Sequence, residues 1–179
     1  DVKLNVNYAM VITTNSGLWR YKIGDTVKFT CLNPFRIKIT GRTKHFINVF
    51  GEELVIENAE KALSLTSELT KSSISDYTVG PVFMGSKTKG SHEWIIEFDK
   101  QPDDLNKFME ILDLNLQSLN SDYEAKRYKS STLELPKLIV ARKNLFYDWL
   151  SSKNKLGGQN KIPRLSNSRE FIEELISMN

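Results

Sequence analysis

The chain opens on strand-like alternation and changes, near residue 53, to apolar residues at helical spacing. Residues 8–14 are rich in β-branched and apolar side chains and stop at the turn cluster Asn15-Ser16-Gly17. From Asp25 to Leu32 the pattern is strict, with Val27, Phe29 and Cys31 on one face and Thr26, Lys28 and Thr30 on the other. Asn33-Pro34 turns the chain, and residues 36–40 alternate again with Ile37 and Ile39 expected inward. These segments predict a short antiparallel meander with one apolar face, too small to close a core alone. Its apolar face is therefore expected to pack on strands outside this chain.

From Glu53 to about Leu65 the apolar positions Val55, Ile56, Ala59, Ala62 and Leu63 form a helical stripe, with Glu52 and Glu53 expected to complement the helix dipole at its start. Strands follow over roughly 76–84 and 93–99, joined by a polar loop, Gly85 to Ser91. In the second strand Trp94, Ile96 and Phe98 share a face. Pro102-Asp103-Asp104 opens another helix, whose residues Leu105, Phe108, Met109, Leu112, Leu116 and Leu119 recur as a core stripe. Helix or turn is expected over 121–129, a buried strand at Leu138-Ile139-Val140, and a helix over 143–152. A glycine loop from Leu156 to Arg164 precedes a last helix from about Asn167. The order β-α-β-β-α-β-α predicts, for residues 42–179, a compact α+β domain of mixed α/β layers, hung from residues 1–41.

Composition narrows the functional classes. The chain has 179 residues, 40% hydrophobic and 26% charged, enough for a core without covalent staples. One cysteine, Cys31, precludes an internal disulfide, and two histidines, His45 and His92, leave no zinc cluster pattern, so no metal site is expected. A reducing, cytoplasmic setting is the simpler expectation, with no membrane span. The first residue is Asp1 rather than methionine, and the sequence enters a strand almost at once, which reads as a piece of something longer.

The net charge of +3 is too small to argue for nucleic acid, and no aromatic interleaving supports base stacking. Its distribution says more. Between 137 and 164, Lys137, Arg142, Lys143, Lys153, Lys155, Lys161 and Arg164 stand against Asp148 alone. This segment is either a solvated face or a local field for a small anion.

Asp25 follows Gly24, whose freedom allows a sharp turn, and a carboxylate can accept both hydroxyls of a ribose; Gly-Asp is also a common turn pair. Lys161 lies in a glycine-bearing loop and carries a compact charge suited to a phosphoryl oxygen, or is an ordinary surface lysine. Arg42 and Arg164 share that ambiguity. Lys44 sits where strand changes to loop, as a hinge or simply a strand end. No serine or acid lies at a suggestive spacing from either histidine, and no G-x-x-x-x-G-K-[ST] loop occurs.

Three ordered motifs give these residues a context. Gly17-Leu18-Trp19-Arg20-Tyr21-Lys22-Ile23-Gly24-Asp25 resembles the Gly-Leu-Tyr-Arg-Tyr-Arg-x-Gly-Asp run of the auxin-responsive promoter family of acyl-acid amido synthetases, with Trp19 in place of a tyrosine. Gly41-Arg42-Thr43-Lys44, with Gly51-Glu52 and Glu57, is similar to the hinge motif of the wider adenylate-forming superfamily. Gln159-Asn160-Lys161-Ile162-Pro163-Arg164 resembles the family's Gln-x-Lys-x-Pro-Arg segment.

The resemblance implies that residues 1–41 end a large N-terminal domain and that residues 42–179 form a C-terminal lid. It implies Asp25 on the ribose of ATP or AMP, Tyr21, Arg42 and Arg164 around the nucleotide, a hinge at Arg42 and Lys44, and Lys161 as the mobile catalytic lysine. The implied substrates are ATP with magnesium, a small carboxylic acid and an amino acid. The implied partner is the upstream adenylation domain, without which the piece should be inactive and hold no cofactor tightly. An acyl-CoA ligase lid and a non-catalytic binding module are the alternative readings.

Overall fold

The structure is a computed structural model that describes residues 2–42, 46–85, 88–130, 132–157 and 161–179. The chain divides into two compact units, Asp1–Phe46 and Ile47–Asn179. Among the described residues no helix is long and apolar enough to cross a membrane.

The first unit is the expected meander. Strands β1 (Asn7–Ile12), β2 (Tyr21–Leu32) and β3 (Phe35–Arg42) form one antiparallel sheet in the order β1-β2-β3, with a cis Asn33–Pro34 peptide at the β2–β3 turn. Alternation predicts the strands well, because a period of two commits each residue to a face. Burial follows less closely. Val27 is only 4% exposed, yet Ile37 and Ile39, expected inward, are 50% and 63% exposed. One sheet layer cannot cover its own face, so their pairing partners Phe29 and Val27 shield them only from the side. Cys31 is half-buried rather than core, its Sγ lying 3.4 Å from the Asn33 carbonyl oxygen.

Two short strands, β4 (Phe46–Ile47) and β5 (Leu54–Val55), pair with each other ahead of helix α1 (Ile56–Thr70). The expected helix start at Glu53 is corrected here. Glu53 adopts φ +40°, outside the helical region, and Leu54 and Val55 are extended, so the helix starts three residues later and runs on to Thr70. Glu52 is fully buried and so cannot act as a surface complement to the helix dipole.

Strands β6 (Ser73–Val82), β7 (Ser91–Lys100) and β8 (Lys137–Ala141) form a mixed sheet, β6 antiparallel and β8 parallel to the central β7. Between β7 and β8 the chain makes α2 (Leu105–Leu119), α3 (Ser121–Arg127) and a single 3-10 turn over Tyr128–Ser130. Helices α4 (Leu145–Ser152) and α5 (Glu170–Met178) complete the unit. The expected α+β class, with layers of helix on a small mixed sheet, is the class observed.

The central strand explains the layering. Trp94 and Ile96 point into a core shared with α1 and α2 (Ala59, Ala62, Leu63, Phe108, Leu112, Leu116), while Ile95 points the other way, into a core with α4 and α5 (Phe146, Trp149, Ile172, Leu175). A strand buried on both faces needs apolar residues at successive positions, which is why 94–96 reads as a continuous run. Each of these large side chains contributes about 1.5–3 kcal/mol by leaving water. The α2 start follows the sequence: Asp104 is the N-cap, its Oδ1 accepting from the backbone N–H of Asn106 (2.9 Å) and Lys107 (3.0 Å).

Candidate functional site

In the first unit, Asp25 sits on a bulge. Between the pairs Ala9↔Thr26 and Val11↔Lys22, two residue steps of β1 face four of β2, so Met10 alone stands opposite Ile23-Gly24-Asp25 on the β1 side. Gly24 adopts φ +87°, a conformation open to glycine at little cost. Bulges of this kind re-aim side chains and recur beside functional sites. Asp25 is half-buried and lies opposite Arg42, the last residue of β3, in the β2–β3 register. Two of the singled-out residues are thereby brought side by side along one pair of strands. Tyr21, at the start of β2, is 51% exposed.

In the second unit, Lys161 is exposed and stands immediately before a fastened segment. Ile162 is buried in the core with Phe146 and Trp149. Thr78 donates to the Pro163 carbonyl (2.6 Å), Val79 N–H donates to the Arg164 carbonyl (2.9 Å), and Ser166 N–H donates to the Val79 carbonyl (3.0 Å). Leu165, fully buried, forms a parallel bridge with Val79. The segment thus extends the sheet beyond β6, and the exposed lysine stands on a fixed base. A four-carbon stem on such a base can sweep a small volume without the backbone moving.

Arg164 spends its donors inside its own unit. Its Nη1 pairs with Asp76 and donates to the Tyr77 carbonyl (2.9 Å), and its guanidinium lies 4.6 Å from the Tyr77 ring centroid. Burial pushes its pKa below the usual arginine value, with Glu60 opposing. Glu60, Tyr77 and Arg164 line a cleft of about 390 Å³ with several serines of α1 and β6.

Three of the seven basic residues of 137–164 form ion pairs within the second unit, Arg164 being one of them. Arg142 meets Asp148 (2.7 Å) and Lys153 meets Glu174 (2.9 Å), whose other oxygen accepts from Trp149 Nε1 (2.7 Å). This favours a solvated, paired face over a field shared by the whole segment. Lys44, His45, Gln159 and Asn160 lie outside the described residues. Among the described residues no group of three or more His, Cys, Asp or Glu side chains could hold a metal ion.

The residues not anticipated are Glu52 and His92. Both are fully buried, with Glu52 Oε1 2.8 Å from His92 Nε2. A carboxylate can only accept, so Nε2 carries the proton and donates. Glu52 Oε2 also accepts from the Phe50 N–H at 2.7 Å. Burial pushes the Glu52 carboxyl up, but the hydrogen bond and charge of His92 and the backbone donors together hold it below its ordinary value. His92 Nδ1 is buried without a hydrogen-bond partner among the described residues, so no relay continues from it to a nucleophile. The His92 ring lies beside Tyr123, whose hydroxyl donates to Asp113 (2.7 Å), itself held by Arg127 through two bonds (2.7 and 2.8 Å). Forty residues separate Glu52 from His92, and no periodicity links them. Only the Gly51-Glu52 pair within the hinge-like motif marked the place.

Comparison with known proteins identifies a family. The model described as the GH3 family C-terminal domain matches residues 57–170, and that of the GH3 family central domain matches residues 1–42. A relative from Arabidopsis thaliana, 4-substituted benzoates-glutamate ligase GH3.12, is 25% identical over 194 aligned residues, which cover 98% of this chain and 33% of the relative. The solved structure of the GH3.15 acyl acid amido synthetase superposes with a TM-score of 0.77 at 23% identity, over 100% of this chain and 35% of that one. A second structure, AtGH3.15 acyl acid amido synthetase in complex with 2,4-DB, gives 0.73 at 21% identity, over 98% of this chain and 33% of that one. At these identities the structures establish a shared fold. The chain spans about a third of the length of the relatives it matches. With its C-terminal domain model covering most of the second unit, the chain belongs to the GH3 family.

Proposed function

We propose that this chain is the C-terminal part of an ATP-dependent acyl-acid amido synthetase, residues 1–41 closing the large domain and residues 42–179 forming the lid. The observation that carries the reading is Lys161, exposed on a base fixed by Ile162 and Leu165, in a chain of this family. Asp25, presented by its bulge, accepts the ribose hydroxyls, and Tyr21, Arg42 and Arg164 flank the nucleotide. Arg164 would have to leave Asp76 to do so, which makes it the weakest member of the set.

The chemistry needs a movable cation. A carboxylate oxygen attacks the α-phosphorus of ATP, an acyl–O–P bond forms, and the bond to the β-phosphate breaks to release pyrophosphate. Two anions meet, and Lys161 supplies positive charge where negative charge builds up. The lid then turns about Arg42 and Lys44, and the amine of an amino acid attacks the acyl carbon. A C–N bond forms, AMP leaves, and the amine proton passes to solvent. Magnesium arrives with ATP and is held mainly by the adenylation domain. On this reading the piece alone is inactive, acts with that upstream domain, and works in the cytoplasm.

The test is AMP formation by the intact protein. Release of AMP that requires both a carboxylic acid and an amino acid supports the reading. AMP release with coenzyme A in place of the amino acid points instead to an acyl-CoA ligase, and no acid-dependent AMP at all to a binding module.

A further inference from the structure

The segment just after the proposed pivot is fastened to the second unit at several points. Ile47 and Leu54, at its two ends, are fully buried. Asn48 N–H donates to Asn167 Oδ1 (2.8 Å), and Glu53 N–H donates to Asn48 Oδ1 (3.3 Å). Phe50 packs so tightly on Gly90, the residue before β7, that a Cβ added there would overlap its ring. Glu52 turns back inside the segment to hold Phe50 N–H and bonds across to His92 on β7. Of these tethers the Glu52–His92 bond alone joins two fully buried polar side chains, so water cannot replace it. Asn167 lies three residues beyond Arg164, on the segment whose bonds to β6 fix the base of Lys161.

We propose that Glu52 is a positioning residue, which with His92 clamps residues 47–53 to the body carrying Lys161, so that rotation about the preceding residues reaches the lysine undamped. This rests on the function proposed above and adds a residue that acts through others. Rotation can deliver a side chain to a reacting atom only if nothing yields between pivot and lysine, and a misplacement of about 1 Å can cost about a hundredfold in rate. The clamp begins at Ile47, the first residue of the unit that carries Lys161.

The experiment uses the intact enzyme with Glu52→Ala and, because loss of a buried carboxylate can unfold the unit, the milder Glu52→Gln, which keeps an acceptor for His92 and Phe50. Amide exchange at Asn48 and Phe50 should speed up at least about tenfold in Glu52→Ala. Turnover should fall about tenfold or more with the KM for ATP within about twofold, and Glu52→Gln should recover most of it. Unchanged exchange in Glu52→Ala overturns the clamp. Faster exchange with unchanged turnover, or an equal rise in KM, overturns the positioning role and leaves Glu52 a structural residue. An intact wild-type protein that forms no acid-dependent AMP removes the functional reading and the positioning role with it, while the exchange arm still decides the clamp.

Discussion

Asp25 and Glu52 are both carboxylates next to a glycine, and their surroundings set them to different work. Asp25 lies at a bulge on the β1 side of β2, keeps its register with Arg42 on the β3 side, and stays half-buried. Substituting Asp25→Asn keeps the shape but removes charge-assisted hydrogen bonds worth about 1.5–3 kcal/mol. The dissociation constant for ATP in the intact enzyme should therefore rise about tenfold or more by calorimetry, and an unchanged value would remove Asp25 from the nucleotide site. Glu52 is buried with a histidine, and its pKa lies below the ordinary 4.5. A lowered folded value means that its contribution to stability is complete above about pH 4.5 and is lost as pH falls through the folded value. Glu52→Ala should cost about 3 kcal/mol in urea unfolding near neutral pH, the gap from wild type closing in acid. A gap that stays constant down to pH 3 would contradict the assigned ionisation.

At the scale of elements, α2 and α1 show what the sequence can and cannot tell. Pro102-Asp103-Asp104 marks the start of α2 because capping is local: the side-chain acceptor and the two N–H groups it serves lie within three residues. Asp104→Ala should accordingly destabilise the second unit by about 1 kcal/mol in chemical denaturation, while Asp104→Asn should lose much less. The start of α1 was misplaced because Glu52 and Glu53 look like first-turn acids, whereas a partner forty residues away decides where Glu52 points. Local signals place strands and caps; a buried polar pair is decided by tertiary contact. The meander shows the same division. Its alternation is legible, yet Ile37 and Ile39 remain exposed because period alone does not say what lies over the face. The sequence reading expects a sharp turn at Gly24-Asp25, whereas both residues lie within β2, where the positive φ of Gly24 serves a bulge that only the register shows.

At the scale of the molecule, the chain divides after residue 46 into two units, with Asp25 on the first and Lys161 on the second. Family membership accounts for the shared fold and for the two matched domains. The role of Lys161 is the central claim, and it rests on the order of the three motifs in the sequence. The base that holds the lysine, an extra strand-like segment along β6, was not legible, because its bonds to Thr78 and Val79 span more than eighty residues. The most direct measurement is the rate of acid-dependent pyrophosphate exchange by the intact enzyme with Lys161→Ala. The exchange rate should fall about a hundredfold or more while the affinity for ATP changes no more than a few-fold. A rate near that of the wild type, or a loss of affinity as large as the loss of rate, would contradict a lysine that acts on the transition state.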